Sequence, residues 1–537
     1  MHANRAAPQL VETVHRDYVE AGAHLLTANT FGASRFTCGD ADSAVQLVQT
    51  GIRLARRAAF GRALVFGSIS PLGPVFGAEI DQESASNAFA EIAQAMADTG
   101  ADGIIVETML SNAEAVCAVR AVHAVCSLPV LVSRPLHADR LDGIDDFVAS
   151  MEPLGVAALG VNCVSGLREL LPVVERLCQR ASVPVLVRPN AGYPSFEADG
   201  PRYHLRPDYF LHQARAYAAA GAQLIGGCCG TGPEHIAVLA AASEQLQPAQ
   251  RRKPATPVPP PEAPQAERPW LHHLHHGELP VLALLPPGLG MLAARDTAGE
   301  LAGAGVVGIG LQESEAAPHP QPARLRHLQD ATGAAGVLTL NAGSPLRDAQ
   351  EQLLAAHLLG LPVVLIDAGV IAAASDGIAA AERLVRLCAG LNRGRDVAGN
   401  RLPEATAFTI GVRLRADQLH AAADLATAGA DVATLQPVYE PAHLRALMAD
   451  WQEPLPLIAE ILILPDAETA EAVDNEMPNL QVPERLKARL RQDPEEDRRG
   501  VLRFLRHWRK RLAGVCLLLP DARSDAARAV LAALQER

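Results

Sequence analysis

The sequence has few aromatic residues and fewer basic than acidic ones. Aromatics make up 4% of the 537 residues, and the formal net charge at pH 7 is −13. Few stacking side chains and a negative average surface both argue against nucleic-acid binding. No apolar run reaches the roughly 20 residues that span a bilayer, which argues against a membrane protein. We therefore expect a globular protein acting on small molecules, with neither nucleic acid nor membrane as a partner.

An export signal and a disulfide pattern are also lacking. The N-terminal stretch "MHANRAAPQLVETVHRDYVEAG" has an amphipathic helical pattern with acidic residues in place of an apolar signal core. The nine cysteines are an odd number and are scattered along a large chain. These features predict reduced thiols and a cytoplasmic location.

A proline-rich segment divides the chain. Residues 245–270 read "QLQPAQRRKPATPVPPPEAPQAERPW", and proline at this density favours an extended linker over helix or sheet. On either side lie residues 1–244 and residues 271–537. Each part has about the length of a single α/β barrel, roughly 250 residues.

Both parts alternate short apolar runs with Ala- and Leu-rich helical patterns. Seven such runs occur before the linker, among them "GIIVETM" and "AQLIGGCCG", and eight after it, from "PVLALLPP" to "AGVCLLLP". Runs that are apolar throughout are typical of parallel strands covered on both faces. We predict an α/β protein of two (β/α)8 TIM-type barrels in series, the first lacking its first strand. A doubly wound open sheet is the alternative, because periodicity does not establish closure.

Three cysteines follow predicted strands directly. Cys163 comes after "ALGVN", and Cys228 and Cys229 come after "AQLIGG". The carboxyl ends of barrel strands carry the chemistry of this fold. Three thiolates there would bind zinc and leave its fourth position for a substrate. Two other readings stay open, namely three small buried apolar residues and a vicinal disulfide, which a reducing compartment disfavours. The remaining six cysteines are interpreted as structural.

These motifs carry a resemblance to a known family. "GVNCVSG" followed by "GGCCGTGPEHI" resembles the zinc signature of the homocysteine S-methyltransferases. The similarity continues through "VHRDYVEAGAHLLTANTFGASRF", "GSISPLGP", "GADGIIVETM" and "RPNAGYP", and covers nearly all of residues 4–240. It implies a zinc enzyme in which the bound thiolate of homocysteine accepts a methyl group and becomes methionine.

The resemblance also implies roles for individual residues. Cys163, Cys228 and Cys229 would be both the metal ligands and the catalytic residues. Glu107 matches the acid that contacts the homocysteine ammonium. The remaining substrate-binding residues that it implies are Asn162 and Asn190, which would brace the site, and Thr27, Asn29 and Thr30, which would line the pocket mouth.

One part of the family pattern is missing. The family opens with a strand that ends in Asp-Gly-Gly or Asp-Gly-Ala, and no such strand precedes "HLLTANTF". We expect that the start codon is assigned too far downstream, rather than that the barrel lacks this strand.

The second part more faintly resembles methylenetetrahydrofolate reductase. The similar segments include "QEQLLAAHLLGLPVVLI", "AGADVATLQPVYE" and "EMPNLQVPERLKARL". Ala283 stands where that family has an acid, and residues 342–345 and 366–369 read "AGSP" and "IDAG" in place of charged segments. These losses argue against bound FAD and predict an inactive barrel, which either still binds methyltetrahydrofolate or serves only as a packing partner. Gln436 matches the folate-contacting glutamine, so methyltetrahydrofolate remains a candidate ligand.

Two alternatives to this function stay open. One is a bifunctional methyltransferase and FAD-dependent 5,10-methylenetetrahydrofolate reductase, and the other is a non-catalytic zinc- or thiol-binding protein. The methyl donor is either a small molecule, such as methyltetrahydrofolate, S-methylmethionine, S-adenosylmethionine or betaine, or an external corrinoid protein. The sequence contains no Asp-x-His-x-x-Gly segment of a built-in cobalamin module. The histidine-rich run at residues 271–279 is interpreted as a hydrated linker end.

Overall fold

The computed structural model describes residues 1–73, 76, 80–138, 141–197, 200–250, 268, 270, 279–286, 288–312, 321–368, 374–437, 451, 455–476, 482–508 and 510–535. The chain forms two compact units, one of Met1–Glu262 with Ala398–Pro403 and the other of Ala263–Val397 with Glu404–Arg537. Most of the proline-rich linker and residues 271–278 of the histidine-rich run lie outside the described residues.

The first unit alternates strands and helices along the chain. Its strands are β1 (Leu25–Thr27), β2 (Leu64–Ile69), β3 (Gly103–Val106), β4 (Val130–Arg134), β5 (Ala158–Asn162), β6 (Val185–Arg188), β7 (Ser195–Glu197), β8 (Gly200–Arg202) and β9 (Leu224–Ile225). Its helices are α1 (Ala3–Ala6), α2 (Pro8–Glu20), α3 (Arg35–Cys38), α4 (Ala41–Ala59), α5 (Gln82–Asp98), α6 (Asn112–Val125), α7 (Leu141–Met151), α8 (Leu171–Arg180), α9 (Pro207–Ala220) and α10 (Pro233–Ala241).

Seven of these strands form one parallel sheet in the order β1-β2-β3-β4-β5-β6-β9. Its outer face packs on the helices through a large apolar core that includes Val65, Ile104 and Val132. Its concave face carries a separate small cluster with one residue from each of five strands, namely Phe66, Ile105, Leu131, Ala158 and Leu186. Successive side chains of a strand point to opposite faces of the sheet. Since both faces are covered here, these strands are apolar throughout rather than alternating.

Short polar residues begin three of the helices that follow these strands. Asp40, Asp81 and Ser111 each accept a hydrogen bond from a backbone N–H in the first turn of α4, α5 and α6. Such side chains satisfy donors that the helix itself leaves unpaired. These three capping residues therefore stabilise the first turns of α4, α5 and α6.

The second unit is an eight-stranded closed barrel. Its strands are β10 (Val281–Leu285), β11 (Gly308–Leu311), β12 (Ala335–Asn341), β13 (Val363–Asp367), β14 (Thr409–Leu414), β15 (Val432–Leu435), β16 (Leu457–Leu462) and β17 (Gly514–Leu518). Its helices are α11 (Met291–Gly303), α12 (Gln321–Thr332), α13 (Leu346–Leu358), α14 (Ala374–Asn392), α15 (Ala422–Ala428), α16 (Ala467–Glu476), α17 (Glu484–Gln492), α18 (Pro494–Trp508) and α19 (Asp525–Gln535).

All neighbouring strands of this barrel are parallel, and β17 pairs with β10 to close it. The prediction of eight strands and a closed barrel is confirmed here. In the first unit the seven predicted strands are also confirmed, as a curled sheet. The hairpin of β7 and β8 was not predicted, since its residues are mostly exposed and lack an apolar pattern. No helix in the described part of the chain is long and apolar enough to cross a membrane.

Candidate metal centre

The three cysteines at strand ends meet in space. Cys163 follows the last residue of β5, and Cys228 and Cys229 follow β9 after two glycines. Their three sulfur atoms all lie within 4.8 Å of one another, and the Sγ atoms of Cys163 and Cys229 are 3.9 Å apart. A tetrahedral zinc ion with Zn–S bonds of about 2.3 Å holds its sulfur ligands roughly 3.8 Å apart. Both the donor set and the spacing therefore fit zinc.

The segment after β6 holds both cysteine loops through its backbone. The N–H of Cys163 donates to the carbonyl of Arg188 at 3.2 Å, and the N–H of Cys228 donates to the carbonyl of Pro189 at 2.8 Å. The carbonyl of Cys229 accepts from the N–H of Ala191 at 2.8 Å. The two loops that supply the sulfurs are thus tied to one rigid strip of backbone.

Asn190 adds side-chain contacts to this strip. Its Oδ1 accepts from the N–H of Cys229 at 3.2 Å, and its Nδ2 donates to the hydroxyl of Ser165 at 3.3 Å. Asn190 is also buried. One amide side chain thus connects both cysteine loops.

The backbone is strained just after β3 and just after β5. Thr108 and Cys163 have φ values of 59° and 57°, in the left-handed region that non-glycine residues seldom occupy. The Asn162 side chain holds them together, accepting from the N–H of Thr108 at 3.0 Å and donating to its hydroxyl at 2.7 Å. Strain of this kind costs on the order of 1–3 kcal/mol and clusters at functional sites. One of the two strained residues, Cys163, also supplies one of the three sulfur atoms.

Two glycines of "GGCCG" are required by close contacts. A Cβ atom on Gly227 would lie 2.3 Å from Cγ2 of Thr231, and one on Gly230 would lie 2.1 Å from Cγ of Tyr203. Gly230 also has φ of 76°, which glycine adopts without strain. The aromatic ring of Tyr203 therefore packs directly over the residue after Cys229 and covers that side of the cluster.

The three thiols have different proton affinities. A hydrogen bond from the Cys163 thiol and, to a smaller extent, the Arg188 guanidinium lower the pKa of Cys228 to about 6. Donating that bond raises the pKa of Cys163, and burial adds to the increase. Burial also raises the pKa of Cys229. Three adjacent thiolates repel one another, so full ionisation of the cluster requires a cation among them.

An ion pair lies beside the cluster. Oε2 of Glu107, the residue after β3, lies 2.9 Å from Nη1 of Arg188 at the end of β6. Oε1 of Glu107 accepts from the hydroxyl of Ser68 at 2.5 Å. Sequence reasoning found Glu107 but missed Ser68 and Arg188. Arg188 could have been found from the sequence, because it is a charged residue at the end of the apolar run in "PVLVRPN".

Residues 2–243 match the homocysteine S-methyltransferase family model. Two curated relatives are the methionine synthases of Mycobacterium leprae, 36% identical over 260 residues, and of Mycobacterium tuberculosis, 36% identical over 270 residues. The matches cover 44% and 46% of this chain but only 22% and 23% of those relatives, so the chain spans less than a quarter of their length. The metallated homocysteine methyltransferase MmuM of Escherichia coli is 26% identical, with a TM-score of 0.39 over 45% of this chain and 86% of MmuM.

The other polar residues predicted in the homocysteine S-methyltransferase region lie around β1. Thr27 ends β1 and is half-buried, and the Asn29 amide donates to Oδ1 of Asn4 at 2.9 Å. Thr30 is buried, and its hydroxyl both donates to the carbonyl of Ser68 and accepts from the N–H of Ser68. Thr30 is thus connected through Ser68 to Glu107, whereas the side chain of Asn29 is turned to the N-terminal helix α1.

The remaining cysteines stay apart from this centre. Cys117, Cys178, Cys388 and Cys516 are buried, as the structural interpretation expects. Cys38 and Cys126 are half-exposed, in contrast to that interpretation, because they lie at the ends of α3 and α6. All nine cysteines are free thiols, so no vicinal disulfide joins Cys228 and Cys229.

The second unit, outside the homocysteine S-methyltransferase region, has its own group of charges inside the barrel. Nε of Arg413 lies 2.7 Å from Glu460, and its Nη1 lies 2.6 Å from Asp367. Thr434 donates to Glu460 at 2.6 Å, and Nε2 of Gln436 lies 3.4 Å from Asp367. These residues lie at or near the carboxyl ends of β13 to β16, the end of a barrel that carries functional residues.

Apolar side chains fill the rest of the barrel that encloses this group. Ala283, which stands at the position of the expected acid, is fully buried in β10. Leu282, Leu284, Val363 and Leu365 pack in one apolar cluster. Among the described residues of these strands, the buried charged side chains thus lie towards the carboxyl ends.

Proposed function

We propose that residues 1–244 act as a zinc-dependent homocysteine S-methyltransferase that forms methionine. The observation that carries the proposal is the meeting of Cys163, Cys228 and Cys229 at the ends of two strands, with sulfur spacing that suits zinc. The family match over residues 2–243 supports the reaction class. The printed names of the curated relatives, methionine synthases, agree with homocysteine as the acceptor.

Zinc, when bound, lowers the pKa of a coordinated thiol and presents it as a thiolate at neutral pH. The three cysteines would hold the ion. Asn162 and Asn190 fix the loops that carry them, and Glu107 would bind the substrate ammonium. The resemblance also assigns Thr27, Asn29 and Thr30 to the entrance, although the Asn29 side chain is turned to α1 and Thr30 is buried. In the transfer, a bond forms between sulfur and the methyl carbon while the bond from that carbon to the donor breaks, leaving its electron pair with the donor.

The methyl donor is either a small molecule or a corrinoid protein outside this chain. All nine cysteines are free thiols, which agrees with the proposed reducing, cytoplasmic setting. The sulfur cluster itself is compatible with each donor, because in-line transfer requires only that the methyl carbon reach the thiolate. A panel of donors therefore has to be compared directly.

We propose that residues 271–537 form a methylenetetrahydrofolate reductase-like barrel without reductase activity, joined to the first by the linker at residues 245–270. Ala283 in place of an acid supports the loss of activity. Gln436 beside Asp367 supports binding of methyltetrahydrofolate at the polar end of this barrel. Flavin absorbance in the purified protein would favour the bifunctional alternative.

The proposal is tested by homocysteine-dependent methionine formation with methyltetrahydrofolate, methyl-cobalamin, S-methylmethionine, S-adenosylmethionine and betaine. We expect turnover with at least one donor. Cys228→Ser should lower the rate more than about 100-fold, because loss of a ligand exceeds the 10- to 100-fold effect of outer contacts. Cys126→Ser makes the same change outside the cluster and should retain the rate.

Equal rates in both variants would contradict the proposal. A wild-type protein that holds zinc but forms no methionine from any donor would indicate the non-catalytic zinc- or thiol-binding alternative.

A further inference from the structure

Arg188 and Glu107 form a nearly buried pair of opposite charges next to the sulfur cluster. Their side chains are 17% and 6% exposed, and Nη1 of Arg188 lies 2.9 Å from Oε2 of Glu107. Nε of Arg188 donates to the carbonyl of Gly227 at 3.3 Å, one residue before Cys228. A positive and a negative group are thus held together at the carboxyl ends of β3 and β6, beside the loops that carry the cysteines.

The two residues come from strands that are not neighbours. In the sheet order, β4 and β5 lie between β3, which Glu107 follows, and β6, which Arg188 ends. In a flat sheet three strand spacings would separate them by about 14 Å. The contact therefore crosses the concave mouth of the curled sheet, where a substrate of a β/α protein binds.

The guanidinium has donors to spare. Arginine carries five N–H donors in a planar fork. Among the described residues, the acceptors of Arg188 are the carbonyl of Gly227 and the carboxylate of Glu107, and Nη2 has no acceptor there. The Arg188 side chain as a whole is 17% exposed, so it is not sealed in the core. Nη2 is thus the donor left for a ligand in the mouth.

We propose that Arg188 binds the carboxylate of the acceptor amino acid while Glu107 binds its ammonium. This assignment rests on the proposed function and adds a specificity-determining residue to it. The arginine fork matches carboxylate geometry, and a site with little water strengthens such charge-assisted bonds. The pair would select an α-amino acid that carries a thiol over a simple thiol.

A substitution of Arg188 distinguishes a carboxylate-binding residue from a purely structural ion pair, because the two roles predict different changes in ligand affinity. Removing Arg188 takes away the carboxylate partner but frees Oε2 of Glu107 for the ammonium, because the two cations compete for that oxygen. Loss of a structural support would instead weaken every thiol ligand alike. Ligands that lack one charged group separate these two cases.

The experiment titrates three thiols into zinc-loaded protein by calorimetry. They are homocysteine, 3-aminopropane-1-thiol, which lacks the carboxylate, and 4-sulfanylbutanoate, which lacks the ammonium. Arg188→Met is compared with Arg215→Met, the same change at an exposed position of α9. Zinc content and far-UV circular dichroism of each variant are measured first.

We expect Arg188→Met to weaken homocysteine and 4-sulfanylbutanoate roughly 10- to 100-fold, the range of a lost charge-assisted hydrogen bond. Binding of 3-aminopropane-1-thiol should stay the same or tighten, and Arg215→Met should change none of the three. Arg188→Lys keeps the charge without the fork, so the same two ligands should weaken by a smaller factor. If Arg188→Met does not fold, the same comparison is made with Arg188→Lys.

Two outcomes overturn the assignment and are distinguishable. If wild type binds homocysteine but Arg188→Met weakens the aminothiol by the same factor, or leaves homocysteine unchanged, Arg188 is not the carboxylate partner. If wild type holds zinc yet binds none of the three thiols, the proposed function fails, and this inference fails with it.

Discussion

Asn190 is the residue on which the spacing of the sulfur cluster depends most directly. It accepts from the N–H of Cys229 and donates to Ser165, two residues beyond Cys163. Both loops thereby keep their distance without any contact between Asn190 and a sulfur atom. Side chains in this position orient metal ligands and affect metal affinity from one step away.

Asn190→Ala is therefore predicted to weaken zinc binding by roughly 10- to 100-fold, the range found when such outer contacts are lost. The N–H of Cys229 loses its acceptor, and the loop gains freedom. Competition with a chromophoric zinc chelator measures the change. Asn87→Ala makes the same substitution at an exposed position of α5 and should bind zinc as wild type does. Equal affinities in the two variants would refute the role given to Asn190.

At the scale of the elements, the approach of β5 to β6 positions the centre. Gly160 lies in the middle of β5, and a Cβ atom there would lie 1.8 Å from the carbonyl oxygen of Leu186 on β6. β5 leads directly to Cys163, and β6 leads to Arg188 and Asn190. A larger residue at Gly160 would thus push apart the two strands that carry the site.

Gly160→Ala is predicted to lower the free energy of unfolding of the first unit by about 1–3 kcal/mol, as overpacking usually does. All three tryptophans, Trp270, Trp451 and Trp508, belong to the second unit. The urea midpoint measured by circular dichroism should therefore fall. The urea midpoint measured by tryptophan fluorescence, which reports on the second unit, should stay the same.

Gly143→Ala provides the matched control. Gly143 lies in α7 with no atom within 4 Å of an added Cβ, so alanine there should be neutral or stabilising by up to about 1 kcal/mol. If both variants unfold alike, the contact between β5 and β6 is not as tight as the structure has it.

At the scale of the whole molecule, the chain consists of two α/β units with separate apolar cores. The number and order of their strands could be predicted because each is an apolar run bounded by turn residues. The strand pattern alone left a doubly wound open sheet as an alternative to the closed barrel, since closure depends on pairing between β10 and β17, more than 200 residues apart. Local sequence patterns carry no information about such pairings.

The candidate site also has parts that could be predicted from the sequence and parts that could not. Cys163, Cys228 and Cys229 could be predicted because thiols and glycines together at strand ends form a local pattern. The partners of Glu107 could not, because Ser68 and Arg188 are 39 and 81 residues away in the chain. Likewise, the packing of Tyr203 on Gly230 depends on the hairpin of β7 and β8, whose exposed polar strands show no periodicity.

The central claim is that the three cysteines hold one zinc ion with a position left for the homocysteine sulfur. X-ray absorption at the zinc edge of the purified protein tests it most directly. The account predicts one zinc per chain with three sulfur neighbours at about 2.3 Å, rising to four when homocysteine is added. Fewer than three sulfur neighbours, or a sulfur count that homocysteine leaves unchanged, would contradict it.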